Sequence, residues 1–197
     1  MSIIFETAKN SYSYRIFAQL ASDLLKDGKT TGGNQSAEYI HYAGLNLKRM
    51  QRWDKTYELP QSLTEKVKRL SPQSWWVITE AWCGDSAQNL PILAKIGEAS
   101  EGKIQLKIVL RDENPDIMNN YLTNGSRSIP ILAAFDKDGR EIFRWGPRPA
   151  GAQQLMTEWK NDPAGKSFED FEIDMQQWYN RDKGESLLAE LTPLLEN

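Results

Sequence analysis

Residues 75–96 read WWVITEAWCGDSAQNLPILAKI. WWVIT is short, aromatic and β-branched, which favours a strand. From Cys83 onward Leu90, Leu93 and Ile96 recur at three-residue steps, which favours a helix. Between the two stands Trp82-Cys83-Gly84-Asp85-Ser86, and Cys83 is the only cysteine among 197 residues. A thiol at a helix start meets unpaired backbone N–H groups and the positive end of the macrodipole. Both favour the nucleophilic thiolate, by roughly 0.3–1 kcal/mol when exposed.

Working outward from that junction, KIQLKIVL alternates, with Ile104, Leu106, Ile108 and Leu110 facing one way. Asn114-Pro115 predicts a helix start, capped by Asn114 and running to about Leu122. ILAAF is a further strand, Asp138-Gly139 a hairpin turn, EIFRW the returning strand, and 150–160 a helix. The order predicts three parallel strands joined through helices, then one antiparallel strand.

Residues 10–70 read as helical. Ile16, Phe17, Leu20, Leu24 and Leu25 form one stripe ending at Gly28; Ile40, Ala43, Leu47, Met50 and Asp54 lie near another. Ser62 with Glu65 has capping-box spacing before a third, short helix. Beyond Pro163, Phe168, Phe171, Met175 and Trp178 mark one amphipathic helix, and Leu187, Leu188, Leu191 and Leu194 another. The chain is therefore divided into an N-terminal helical extension at 1–71, an α/β unit at 72–162, and C-terminal helices at 163–197 packing on that unit.

With 40% hydrophobic and 26% charged residues the chain can bury a sizeable core. A net charge of −3 from interspersed acids and bases, without a basic stripe, argues against nucleic acid as a partner. No run of about 18 apolar residues reads as a membrane span, and the first fifteen residues do not read as a secretory signal. A single cysteine excludes an internal disulfide and fits a reducing cytoplasm. The lone His41 has no second Cys or His near it in sequence, so no metal site is expected.

The order of elements and several local features resemble the thioredoxin family: Trp82-Cys83-Gly84 at a strand–helix junction, Pro91 within the helix, Ser128-Ile129-Pro130 before a strand, and Gly146 after the last strand. The resemblance covers roughly 90 residues. The stretches LRDENP, GSRSIP and WGPRP look like bacterial members with helical extensions. It implies an α/β thioredoxin-like fold, a central mixed sheet flanked by helices, with an uncovered Cys83 sulfur. It also implies a cis peptide bond before Pro130, with the backbone of Ile129 offered to an extended substrate peptide. Cys83 and Ser86 are the expected catalytic residues. Trp82, Gly84, Asp85, Ile129, Pro130 and Gly146 are the expected substrate-binding residues.

Two departures matter. The family's dithiol pair is here Cys83-Gly84-Asp85-Ser86, so a mixed disulfide on Cys83 has no internal thiol to release it. The expected activity is thiol–disulfide exchange by a monothiol route, acting on protein or small-molecule disulfides, with an external thiol such as glutathione as co-substrate and no bound cofactor. The alternative is a non-redox, protein-binding module of the same fold. Second, the family often buries a carboxylate six residues before the nucleophile; Val77 stands there, and the face of the nearby Glu80 is open. Ser86 is expected to donate a hydrogen bond to the sulfur and Asp85 to repel the thiolate. Arg127 and Arg148 flank the loops and are read as solvated, with attraction of a substrate carboxylate as the other reading. Monothiol glutaredoxins, which carry an iron–sulfur cluster on one cysteine, have Phe where Asp85 stands, and Trp82 is a thioredoxin trait; both argue against that role.

Overall fold

The computed structural model describes residues 4–195. After a 3-10 turn at Ile4–Thr7 come three N-terminal α-helices: α1 (Tyr14–Lys26), α2 (Ala37–Thr56) and α3 (Gln61–Lys68). The α/β unit follows as β1 (Gln73–Thr79), α4 (Gly84–Ala99), β2 (Ile104–Leu110), α5 (Pro115–Asn119), β3 (Ile131–Asp136), β4 (Glu141–Trp145) and α6 (Ala150–Asn161). Two more helices close the chain, α7 (Phe168–Asp182) and α8 (Glu185–Leu194).

The sheet order is β2-β1-β3-β4. β1 and β2 are parallel, with Val77 opposite Ile108, because α4 carries the chain back along the sheet. β3 runs antiparallel to β1, contrary to the predicted parallel triplet. The reason is the length of α5: five residues rise only about 7 Å, too little to return along strands about 20 Å long, so the chain re-enters at the end where β2 left. The helix also stops at Asn119 rather than Leu122. Asn114 holds the N-cap position before Pro115 as expected, but its side chain makes no capping bond: its amide donates to Leu110 O and its oxygen accepts from Lys9 N–H.

Alternation divides the sheet into two faces. Trp75, Val77, Ile108, Leu110, Leu132 and Ala134 face α1 to α4 and α8, forming the larger core. Trp76, Ile78, Val109, Ile131 and Ala133 face Phe5, Ile117, Met118 and Tyr121, and this smaller core also contains Cys83. The helical arms pack on the sheet unit: Tyr12 bridges to Ile108 beside β2, and Trp53 of α2 donates its indole N–H to Gln88 of α4 at 2.6 Å.

Two further expectations shift. α3 begins at Gln61 after Pro60 with no side-chain cap, which leaves Ser62 inside the first turn and no capping box. The buried stripe of α2 is Ala43, Asn46, Met50 and Trp53, displaced from the apolar count because Asn46 finds a buried partner, Ala81 O, at 3.1 Å. At the other end Ser167 and Asp170 form a reciprocal capping box that starts α7. Phe171, Met175 and Tyr179 of that helix bury against Ala152 of α6, while Phe168 stays 48% exposed.

Candidate active site

Cys83 is the N-cap of α4, the residue at which the extended chain leaving β1 turns into helix. Its Sγ lies 3.3 Å from Ile129 O, to which the thiol donates. The Ile129–Pro130 peptide bond is cis. Gly146, at φ +122, sits so close to this loop that a Cβ would stand 2.2 Å from Pro130 O, so only glycine fits. Trp82, Cys83, Gly84, Asp85 and Ile129 line one cleft of about 310 Å³. Ser86, Pro130 and Gly146, also expected at the site, do not line this cleft; Ser86 and Pro130 are buried.

The uncovered sulfur implied by the sequence is corrected here: Cys83 is only 7% exposed. Burial, with the charge of Asp85 adding to it, pushes the thiol up to about 11. The Ser86 hydroxyl and amide and the charge of Arg148 pull the other way without overcoming burial. Loss of hydration outweighs the helix-start effect that favours the thiolate. Ser86 is itself buried, and its oxygen accepts a 2.5 Å hydrogen bond from the Thr79 hydroxyl. That leaves the serine proton free to point toward the sulfur.

Asp85 is the hub of a buried polar knot. Arg148 reaches its Oδ2 with two nitrogens, at 2.9 and 2.6 Å, and the Tyr179 hydroxyl donates to its Oδ1 at 2.6 Å. Arg148 is therefore no solvated surface arginine: both side chains of the pair are largely buried, and Asp85 more than offsets the burial that works against the guanidinium charge. Burial and the facing Asp85 hold the Tyr179 phenol well above its usual range, so it remains a donor. Arg127 is exposed and donates to Asn119 Oδ1. These partners join Asp85 to the loop after β4 and to α7.

Glu80 is the acid that sequence reasoning left unplaced. It is fully buried, its Oε1 accepts from Asp112 N–H at 2.9 Å, and its Oε2 has no hydrogen-bond partner. Burial raises it to about 7, against the opposing pull of the nearby Thr31 hydroxyl and the Asp112 amide. The signal was a lone carboxylate directly after an uncharged, largely apolar strand, QSWWVIT. Val77, by contrast, is plain core. Trp82 packs against Tyr39 at 4.8 Å and under the guanidinium of Arg111 at 4.6 Å, its buried indole N–H unpaired.

The arms reach the cleft. Glu38, Tyr39 and Tyr42 of α2 and Phe168 and Glu172 of α7 line it beside the cysteine. Tyr42 and Glu172 lie within hydrogen-bonding reach of one another, which raises the phenol. Gln176 of α7 accepts from Gln88 at 2.6 Å and lies so near Gly84 that a Cβ there would stand 3.2 Å from its nitrogen. Among the described residues no group of three or more His, Cys, Asp or Glu could hold a metal ion, and no helix is long and apolar enough to cross a membrane.

A family model described as Thioredoxin matches residues 32–160. The chain belongs to the thioredoxin family. Among similar proteins, Thioredoxin 1 of Nostoc sp. is 39% identical over 61 residues, covering 31% of this chain and 53% of that one. A thioredoxin of Synechocystis sp. is 36% identical over 61 residues, with the same shares covered. The chain thus spans about half the length of these thioredoxins. A Pseudomonas aeruginosa protein of unknown function shares the fold at TM-score 0.55 and 21% identity, over 89% of this chain and 95% of its own. The HIV epitope-scaffold 4E10 structure does so at TM-score 0.53 and 20% identity, over 88% and 96%. The thioredoxin match begins within the N-terminal arm, and the likeness to solved structures extends over most of the chain.

Proposed function

We propose that this thioredoxin-family chain is a thiol–disulfide oxidoreductase that works through Cys83 alone. The observation that carries the reading is the Cys83 sulfur at a helix N-cap, 3.3 Å from Ile129 O on the loop before Pro130, with Cys83 opening onto a cleft of about 310 Å³. Attack of Cys83 sulfur on a substrate RS–SR forms the Cys83–S–SR bond and breaks the substrate S–S bond. The departing thiolate takes the proton that Cys83 gives up, and RSH leaves. Ser86 cannot displace the bound half. A second, external thiol attacks the mixed disulfide, restores Cys83 and carries RS away as a new disulfide; glutathione is the co-substrate of this reading. A reducing compartment such as the cytoplasm suits the cycle.

Trp82, Gly84, Asp85 and Ile129 bound the space a substrate enters, and Pro130 and Gly146 fix the Ile129 loop. Incubation with glutathione disulfide is expected to add one glutathionyl group to the wild type and none to Cys83→Ser, read by intact mass. An equal adduct on Cys83→Ser, or none on either, overturns the reading.

A second reading, a non-redox binding module, is favoured by the burial of Cys83 and its raised thiol. It expects partner complexes captured by the wild type to survive Cys83→Ser unchanged, whereas exchange expects them to depend on the sulfur.

A further inference from the structure

Resting on the exchange reading, we infer that the substrate is a low-molecular-weight disulfide whose halves carry both an ammonium and a carboxylate, rather than a disulfide on a folded protein. Two sets of observations carry this, one of shape and one of charge.

The shape is set by the arms. α7 lies along the start of α4, with Gln176 on Gly84 and Gln88, and Tyr179 on Asp85. Tyr39 and Tyr42 of α2 and Phe168 of α7 wall the cleft into which Cys83 opens. Ile129, whose backbone would pair with an incoming strand, is 5% exposed, and its carbonyl already accepts from the thiol. Strand addition needs free backbone donors and acceptors, and at Ile129 the residue is buried and its carbonyl is already engaged. A cleft of about 310 Å³ lies at the low end of small-ligand sites, roughly 300–1,000 Å³.

The charge is arranged in two poles. Glu38 and Glu172 stand close enough for each to act on Tyr42 and for Glu38 to act on Glu172, and both line the cleft. Arg111 and Arg127 form the other pole, joined by the hydrogen bond from the Arg111 guanidinium to Arg127 O at 3.3 Å. Some of these charges already have partners: Asp85 is closed with Arg148, Arg111 Nε is paired with Asp112 Oδ1 at 2.8 Å while its Nη1 reaches Arg127 O, and Arg49 acts on Glu172 from beside the cleft. A ligand in the cleft matches an ammonium to the glutamates and a carboxylate to the arginines, beside Cys83, which lines the same cleft.

The test follows mixed-disulfide formation on the full-length protein by intact mass. The probes are cystine, cystamine, dithiodiglycolate and insulin, each rate divided by that of a free reference thiol with the same probe. Cystine is expected to lead cystamine and dithiodiglycolate at least tenfold and insulin at least a hundredfold. Phe168→Ala, at a 48% exposed position on the cleft wall, is expected to raise the insulin rate several-fold relative to the cystine rate. Equal normalised rates for insulin and cystine overturn the size assignment, and equal rates for the three small probes overturn the charge assignment; in either case exchange itself stands. Failure of all four probes, while iodoacetamide still alkylates Cys83, removes the exchange reading and this inference with it.

Discussion

The Cys83 sulfur is governed by three neighbours, and each makes an opposite or additive demand on its proton. Burial holds the proton on, Asp85 adds to that, and Ser86 and Arg148 oppose. The pH profile of Cys83 alkylation is therefore expected to have its midpoint near 11. Asp85→Asn should raise the alkylation rate at pH 8 by roughly five- to tenfold, and Ser86→Ala should lower it by a similar factor. A midpoint at or below 8 contradicts the buried placement of the sulfur. Glu80 gives a second signature. It is raised from 4.5 to about 7 in the folded chain, so below pH 4.5 both folded and unfolded states hold the proton. Between 4.5 and 7 only the folded chain holds it, so the stability it contributes is present at low pH and lost as pH rises, by about 3 kcal/mol at most. Denaturation at pH 5 and pH 7.5 should show that loss in the wild type and a smaller one in Glu80→Gln; equal losses count against the assignment. Cys83, Ser86 and the Ile129-Pro130 loop were legible from sequence because their signals are local or lie at recognisable junctions. Arg148 and Tyr179 were not, because their shared partner Asp85 is 63 and 94 residues away along the chain.

At the scale of elements, the site is a meeting of one helix start with two loops. The start of α4 is fixed by the turn Glu80–Cys83, in which Cys83 N–H donates to Glu80 O at 3.2 Å. The Pro130 loop is backed by Gly146, whose φ of +122 and contact with Pro130 O exclude any side chain. Gly146→Ala is expected to cost at least about 2 kcal/mol in urea denaturation, from the unfavourable φ together with the overlap, and to move Ile129 away from the sulfur. A cost below about 0.5 kcal/mol contradicts this packing. Strand identities were legible from WWVIT, KIQLKIVL, ILAAF and EIFRW, since alternation and β-branching are local. The direction of β3 was not, because it depends on how far a five-residue helix carries the chain, and the helix end could not be read from composition. The Ser62–Glu65 spacing misled for a similar reason: with Pro60 at the N-cap the helix starts two residues earlier than a capping box at Ser62 needs.

At the scale of the whole molecule, the helical arms line the cleft at the cysteine. Sequence periodicity identified them as helices but could not say where they pack, since an amphipathic stripe records only that something covers it. In the structure α2 and α7 converge beside Cys83, which turns an expected open surface into a walled cleft. On the proposed exchange reading, the chain needs its second thiol from outside, because the sequence holds no cysteine other than Cys83. The most direct measurement of that claim is to load Cys83 with glutathione disulfide, remove the excess, and follow the protein's mass before and after adding reduced glutathione. Exchange by a single thiol predicts an adduct that persists indefinitely alone and disappears on addition of the thiol; a native protein that never takes up the adduct, or sheds it with no thiol present, contradicts it.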